Sequence, residues 1–180
     1  RSKGVSGAIK HFTANDQEFN RKGLAVFFTE QSFRENALRA FEGVLTDDAS
    51  YACMLSFNRV GCYASYESQA LLTGLARGEW GYQGYFQTDA SLFYSKNHAD
   101  SLAAGTDHFT AGSKSIPSIL ESAIAKEGDG FLYQKARDAV KRIHYCLLNS
   151  NVINGQSVND EIIEHTPWWK YATVSISAVF

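Results

Sequence analysis

Cysteine is scarce in this chain. Cys53, Cys62 and Cys146 are the three among 180 residues. An odd number, at spacings that match no ligand pattern, indicates neither a disulfide framework nor a zinc site. Cys53 lies in an apolar run and reads as a small buried hydrophobe. A charge excess is missing too. The net charge of −2 gives no electrostatic case for nucleic acid or for an anionic membrane surface. No Gly-x-Gly-x-x-Gly turn follows a strand, which counts against a dinucleotide fold. No Gly-Lys-Ser/Thr loop is present to cradle phosphate. No Asn-x-Ser/Thr site argues for secretion. Arg1-Ser2-Lys3-Gly4 opens no long apolar leader. The absence of an initiator Met leads us to expect processing or truncation.

What is present suits one globular domain. Hydrophobic residues make up 44% and charged residues 20%, an ordinary balance for a chain long enough to bury a core. Aromatics reach 13%; sugar sites use them as platforms, but cores use them more often. Val5 to Phe12 reads as a strand. Glu30 to Leu45 reads as a helix, with Phe33, Ala37, Ala40, Phe41 and Val44 on one stripe. Ala52 to Phe57 is a second strand and Glu67 to Ala76 a second helix. Gly84 to Asp89 is a third strand, and Leu92 to Ala103 a third, less regular helix. A short fourth strand is expected around Leu102 to Asp107. Ser118 to Lys126 and Phe131 to Leu148 are helices. Strands alternating with helices predict an α/β fold with parallel strands and right-handed crossovers. Four such units make a small open sheet or half of an eight-stranded barrel.

Four expected strand ends carry polar groups: Lys10-His11, Phe57-Asn58, Asp89 and Asp107-His108. In parallel α/β proteins such ends converge on one face, where chemistry sits. Each member also has an ordinary explanation. Asp89 alone reads as a helix N-cap, Lys10 as a surface lysine, His11 as a satisfied core histidine and Asp107 as a turn acid. Together they form a cation pair beside a carboxylate. Lys10 and His11 would donate to hydroxyls and help keep Asp89 ionised.

Several blocks, in order, now resemble glycoside hydrolase family 3. They are Lys10-His11-Phe12-x-x-Asn15-x-x-Glu18-x-x-Arg21, Met54-Leu55-Ser56-Phe57-Asn58-Arg59, Arg77-x-Glu79-Trp80-Gly81-Tyr82-x-Gly84, Thr88-Asp89 and Ala104-Gly105-Thr106-Asp107. The resemblance runs from about residue 5 to residue 148. It implies the C-terminal half of a (β/α)8 barrel over residues 1–148: four βα units, followed by a C-terminal extension over 149–180 that packs on it. It implies Asp89 as the retaining nucleophile. It implies Lys10 and His11 as donors to the sugar hydroxyls, Met54 and Phe57 as lining of the same subsite, and Arg21 near it. Phe57 stands where the family has Tyr, and Ala90 where it often has Trp. Thr13-Ala14-Asn15 after Phe12 departs from the Pro-Gly of the N-acetylhexosaminidase branch and points to the β-glucosidase-like branch. No metal or cofactor is implied.

Retaining hydrolysis needs a second carboxyl roughly 5 Å from the nucleophile, and no convincing candidate stands in this chain. The resemblance implies an acid/base from an α/β sandwich domain and early barrel strands from elsewhere. The expected partners are therefore a β-glucoside or oligosaccharide and the remainder of the same enzyme. Two other readings stay open: a non-catalytic carbohydrate-binding relative, and a self-standing small α/β binding domain. Thr166-Pro167-Trp168-Trp169 resembles the tail of bacterial members with reversed domain order. The apolar run from Tyr171 is too short for a membrane helix. It reads as a packing appendage, with the start of a membrane anchor as the alternative, and the expected location is cytoplasmic or membrane-associated.

Overall fold

A computed structural model describes residues 4–47, 49–90, 98–110, 115–128, 130–154 and 166–179. Three parallel strands form the centre, in the spatial order β1 (Gly7–Phe12), β3 (Ser50–Leu55), β6 (Tyr85–Gln87). Cys53 sits opposite Ile9 on one side and Phe86 on the other. The middle strand, Ser-Tyr-Ala-Cys-Met-Leu, is buried along almost its whole length. This is what a strand flanked on both sides demands, and it explains the unbroken apolar run. β1 pairs only with β3 among the described residues, and its Gly7, Ala8 and Lys10 are exposed.

Helices cover one face of the sheet. Glu30–Ser32, Phe33–Leu38 and Arg39–Thr46 run on as one helix, α1, with π-type winding in its middle segment. Thr29 caps its start by accepting from the Ser32 amide at 3.2 Å, the usual role of a threonine there. The second helix, α2 (Ala70–Glu79), is also π-type. Leu38 and Leu45 from α1 and Leu72 and Ala76 from α2 meet Phe12, Cys53, Leu55 and Phe86 from the strands, all essentially solvent-free. Phe12 stacks on Phe86 at 5.9 Å and meets Phe41 edge-on at 5.1 Å. Burying each large apolar side chain contributes about 2 kcal/mol. Five of the chain's aromatics, Phe12, Tyr66, Trp80, Tyr82 and Phe86, are thus buried in this core. α3 (His98–Ala104), α4 (Ile116–Glu127) and α5 (Phe131–Leu148) gather around a second apolar cluster of Leu102, Leu132 and Ala139. α6 (Asn151–Asn154) and α7 (Trp168–Val179) follow. The Asn151 amide donates to the Gly4 carbonyl at 2.9 Å, tying α6 to the start of β1.

Several expectations need correction. The third strand ends at Gln87, so Asp89 lies two residues beyond it instead of ending it. The second strand starts at Ser50 and stops at Leu55. No strand spans Leu102 to Asp107: α3 continues through Ala104, because its Leu102 is wanted in the helical cluster. The fourth parallel contact is a single bridge, Gln87 to His108. Residues 92–97 of the expected third helix lie outside the described residues. A small second sheet was not anticipated. β2 (Ala25–Val26) pairs parallel with β4 (Arg59–Val60), which pairs antiparallel with β5 (Tyr63–Ala64). These strands are two residues long, too short to show a period.

Candidate active site

The candidate site begins where β1 and β6 end. β3 separates them, yet His11 and Asp89 lean toward one another over its end: His11 Nε2 stands 3.4 Å from Asp89 Oδ2. Both side chains are about one-quarter exposed, so a solute reaches them. The other oxygen, Oδ1, accepts the Ala90 amide at 2.8 Å. Asp89 is positioned through Thr88, which is buried. The Thr88 amide donates to the His108 carbonyl at 2.9 Å, and its hydroxyl accepts the Thr110 amide at 3.0 Å. The carboxylate is therefore carried on a backbone pinned from the neighbouring segment.

The His11 pKa lies below the usual imidazole value. Partial burial is the first cause and the Lys10 charge the second; Asp89 opposes both, and Arg21 adds a smaller lowering. Near neutral pH, His11 is thus an uncharged imidazole, able to donate one N–H to a carboxylate or a hydroxyl. Lys10 precedes it across a cis peptide bond, and the Phe12–Thr13 bond is also cis. Lys10 itself is exposed at the edge of the sheet.

The remaining candidates fall close by in the fold. Met54 is half-buried and pairs in register with Gln87, two residues before Asp89. Phe57 is buried, and the Arg21 guanidinium lies 4.7 Å from its ring centroid. Glu18 holds Arg21 there at 3.0 Å and takes a further bond from Asn15 at 3.3 Å. The block Asn15-x-x-Glu18-x-x-Arg21 is thus a clamp that sets a cation on an aromatic face. Behind it runs a buried polar seam. Ser56 Oγ donates to the Thr13 carbonyl at 2.9 Å and meets Ser65 Oγ at 2.8 Å. The seam ties the loop after β1 to the loop after β3.

Asp107 and His108 do not join this site. Gly105 adopts φ 115°, a backbone state that favours glycine, and the chain then turns Asp107 under β6. There its carboxylate accepts from Arg77 at 2.5 Å, from Arg142 at 2.8 Å and from the Phe86 amide at 2.8 Å. Burial pushes this carboxyl up, but three donors at such lengths are contacts of an ionised group. Arg77 also donates to the Gly84 and Gly105 carbonyls. Gly84 is needed there, since a Cβ would meet the Tyr51 carbonyl and the Tyr82 hydroxyl. His108 faces a cavity of about 570 Å³ between the starts of β1, β3 and β6 and helix α5. That hollow lies at the opposite strand ends from Asp89. The Arg77–Asp107–Arg142 network was missed in the sequence because its members stand up to 65 residues apart. Among the described residues no three His, Cys, Asp or Glu side chains group as a metal site.

The chain is similar to known proteins. No family model matches the chain. "Probable beta-glucosidase K" of Aspergillus fumigatus is 35% identical over 144 residues, covering 78% of this chain and 18% of that protein. "Beta-glucosidase A" of Butyrivibrio fibrisolvens is 36% identical over 107 residues, covering 59% of this chain and 13% of that protein. Among solved structures, beta-glucosidase 3B of Thermotoga neapolitana superposes with a TM-score of 0.75 at 25% identity, over 98% of this chain. The GH3 beta-glucosidase of Bifidobacterium adolescentis gives 0.73 at 26% identity. The chain belongs to glycoside hydrolase family 3. It spans 25% of each of those two solved chains and less than a fifth of the curated relatives. The family blocks read from the sequence, Lys10-His11 through Asp89, therefore sit in a family-3 frame. That frame also carries structural members, Arg77 and Asp107, in the same blocks.

Proposed function

We propose that this chain is the C-terminal half of the catalytic (β/α)8 barrel of a retaining, β-glucosidase-like hydrolase. The observation that carries the reading is Asp89 at 3.4 Å from His11, at the C-terminal ends of parallel strands, where such folds keep their chemistry. The spatial order β1, β3, β6 and then His108 follows the chain order, and this supports consecutive barrel units. In this reading Asp89 attacks the anomeric carbon of a terminal β-linked glucose or related sugar. The C–O bond to the leaving group breaks, and a glycosyl ester forms on Asp89. Water then hydrolyses the ester and restores the carboxylate. Lys10 and neutral His11 donate to the sugar hydroxyls and orient the ring, Met54 and Phe57 line the same subsite, and Arg21 stacks behind Phe57.

The acid/base comes from outside this chain in our reading. Glu18 is engaged by Arg21 and Asn15, and Asp107 by two arginines. The substrate is a β-glucoside or oligosaccharide, and the partner is the remainder of the same enzyme, with early barrel strands against the open edge of β1.

The test is a mechanism-based label. The intact enzyme carrying this chain is incubated with a 2-deoxy-2-fluoro β-glucoside and digested, and the peptides are weighed. A fluoroglycosyl adduct on the peptide containing Asp89 is the expected result. Asp89→Ala abolishes the label and lowers aryl β-glucoside turnover by at least roughly a thousandfold. A label on another acid, or turnover intact in Asp89→Ala, overturns the assignment.

A further inference from the structure

We propose that Ser56 is a positioning residue that sets the His11 imidazole against Asp89; this rests on Asp89 as nucleophile and His11 as sugar donor. His11 lies in an irregular stretch of β1. Ile9 pairs with Cys53 and Phe12 with Leu55, so three steps along β1 match two along β3. One residue is extra between Ile9 and Phe12. That is the mark of a bulge, which bends a strand and re-aims its side chains. The regular ladder therefore does not fix His11, and the chain just beyond it needs another hold. Ser56 supplies two. Its amide donates to the Phe12 carbonyl at 2.8 Å, and its hydroxyl donates to the Thr13 carbonyl at 2.9 Å. Two residues on from the Met54–Gln87 pair, Ser56 is level with Asp89. It thus stands on the strand between the two side chains and ties down the segment that carries one of them.

The hydroxyl protons single out Ser56 over Ser65. The two Oγ atoms are 2.8 Å apart, and Ser65 Oγ also reaches the Asn58 carbonyl at 3.2 Å. Each hydroxyl has one proton to give. The Asn58 carbonyl already accepts the Ser65 amide at 3.2 Å, so the Ser65 proton serves Ser56 and the Ser56 proton serves Thr13. Removing the Ser65 hydroxyl leaves the Ser56–Thr13 bond in place, and removing the Ser56 hydroxyl breaks it. A buried acceptor that loses its donor is costly, and the segment relieves that cost by moving, with His11 two residues from Thr13. Thr13, Ser56 and Ser65 are at most 1% exposed. Whatever surrounds the chain in a larger enzyme can only bury them further.

The experiment is a double-mutant cycle on the intact enzyme that carries this chain, with kcat and KM read on an aryl β-glucoside. Ser56→Ala lowers kcat/KM by about tenfold to a hundredfold, the range for a misplaced contact group. His11→Ala lowers it by at least as much. Because Ser56 acts through His11, the double variant matches His11→Ala within about twofold, whereas independent losses multiply. Ser65→Ala takes a hydroxyl from the same seam but stays within about twofold of the parent. Circular dichroism confirms that each variant keeps the fold. Ser56→Cys fills the space of the serine with a weaker donor, and it carries the same cycle if Ser56→Ala does not fold. Losses that multiply in the double variant overturn the proposal. So does a Ser56 variant as active as the parent, or a Ser65→Ala loss equal to that of Ser56→Ala. Parental turnover in His11→Ala or Asp89→Ala instead overturns the glycosidase reading, and this inference with it.

Discussion

Asp107 and its two arginines offer the sharpest test of what holds the site in place. Asp107→Ala removes an acceptor of three bonds at 2.5–2.8 Å. The Arg77 side chain is 10% exposed and that of Asp107 1%, so water cannot take over the lost role. Breaking a buried ion pair by deleting one partner costs about 3–5 kcal/mol, some two to four decades in the folding constant. With a urea slope of about 2 kcal/mol per molar, the midpoint falls by about 2 M. A local readout accompanies it. The Phe86 amide, which donates to Asp107, loses hydrogen-exchange protection by at least about a hundredfold. Replacing all three charged residues by apolar ones of similar size recovers part of the loss. Recovery is incomplete, because the Gly84 and Gly105 carbonyls still lose their Arg77 donor. The fork between Arg34 and Glu79 pairs the same charges in solvent, and Glu79→Gln leaves the midpoint within error. A midpoint shift below about 0.5 M for Asp107→Ala, or one no larger than that of Glu79→Gln, refutes the reasoning.

Nuclear magnetic resonance titration of His11 gives a midpoint below 6.5. Lys10→Met moves it up and Asp89→Asn moves it down, since the first removes a lowering charge and the second a raising one. The linked stability has a fixed sign. As pH falls through 6.5 the unfolded chain takes up the His11 proton first, so stability declines there and is flat above; a midpoint above 6.5 contradicts the proximity of burial and Lys10. Phe86→Ala, at the crossing of the Phe12, Tyr82 and Arg77 contacts, costs about 3–5 kcal/mol by urea denaturation, and a cost under about 1 kcal/mol removes it from the core. Arg21→Ala raises KM for an aryl glucoside more than it lowers kcat, and Arg21→Lys restores it only in part, because a lysine loses the planar stack on Phe57; full rescue by lysine means charge alone matters.

The parts of this fold legible in the sequence are those with a period. α5 was read at its observed bounds, Phe131–Leu148, because Tyr133, Ala136, Ala139, Val140, Ile143 and Leu147 recur at helical spacing. The middle strand was found but placed two residues late, because Ser50 and Tyr51 do not look apolar until their neighbours bury them. The two-residue strands of the small sheet carry no period at all and exist only because loops meet. The site divides along the same line. His11 and Asp89 were legible as strand-end groups, and the structure brings them to 3.4 Å. Asp107 was read as a fourth strand-end group by the same rule, and there the rule failed. What turned it inward is Gly105 at φ 115° and the guanidinium of Arg77, 30 residues earlier. A strand end tells where a side chain starts; only its partners tell whether it faces substrate or core. An aspartate held by one histidine and the next residue's amide, and still about one-quarter exposed, stays open to a ligand; one holding two arginines and a strand amide is already fully engaged. Asp89 and Asp107 are the two outcomes, 18 residues apart on neighbouring segments, and the second holds the strand that presents the first.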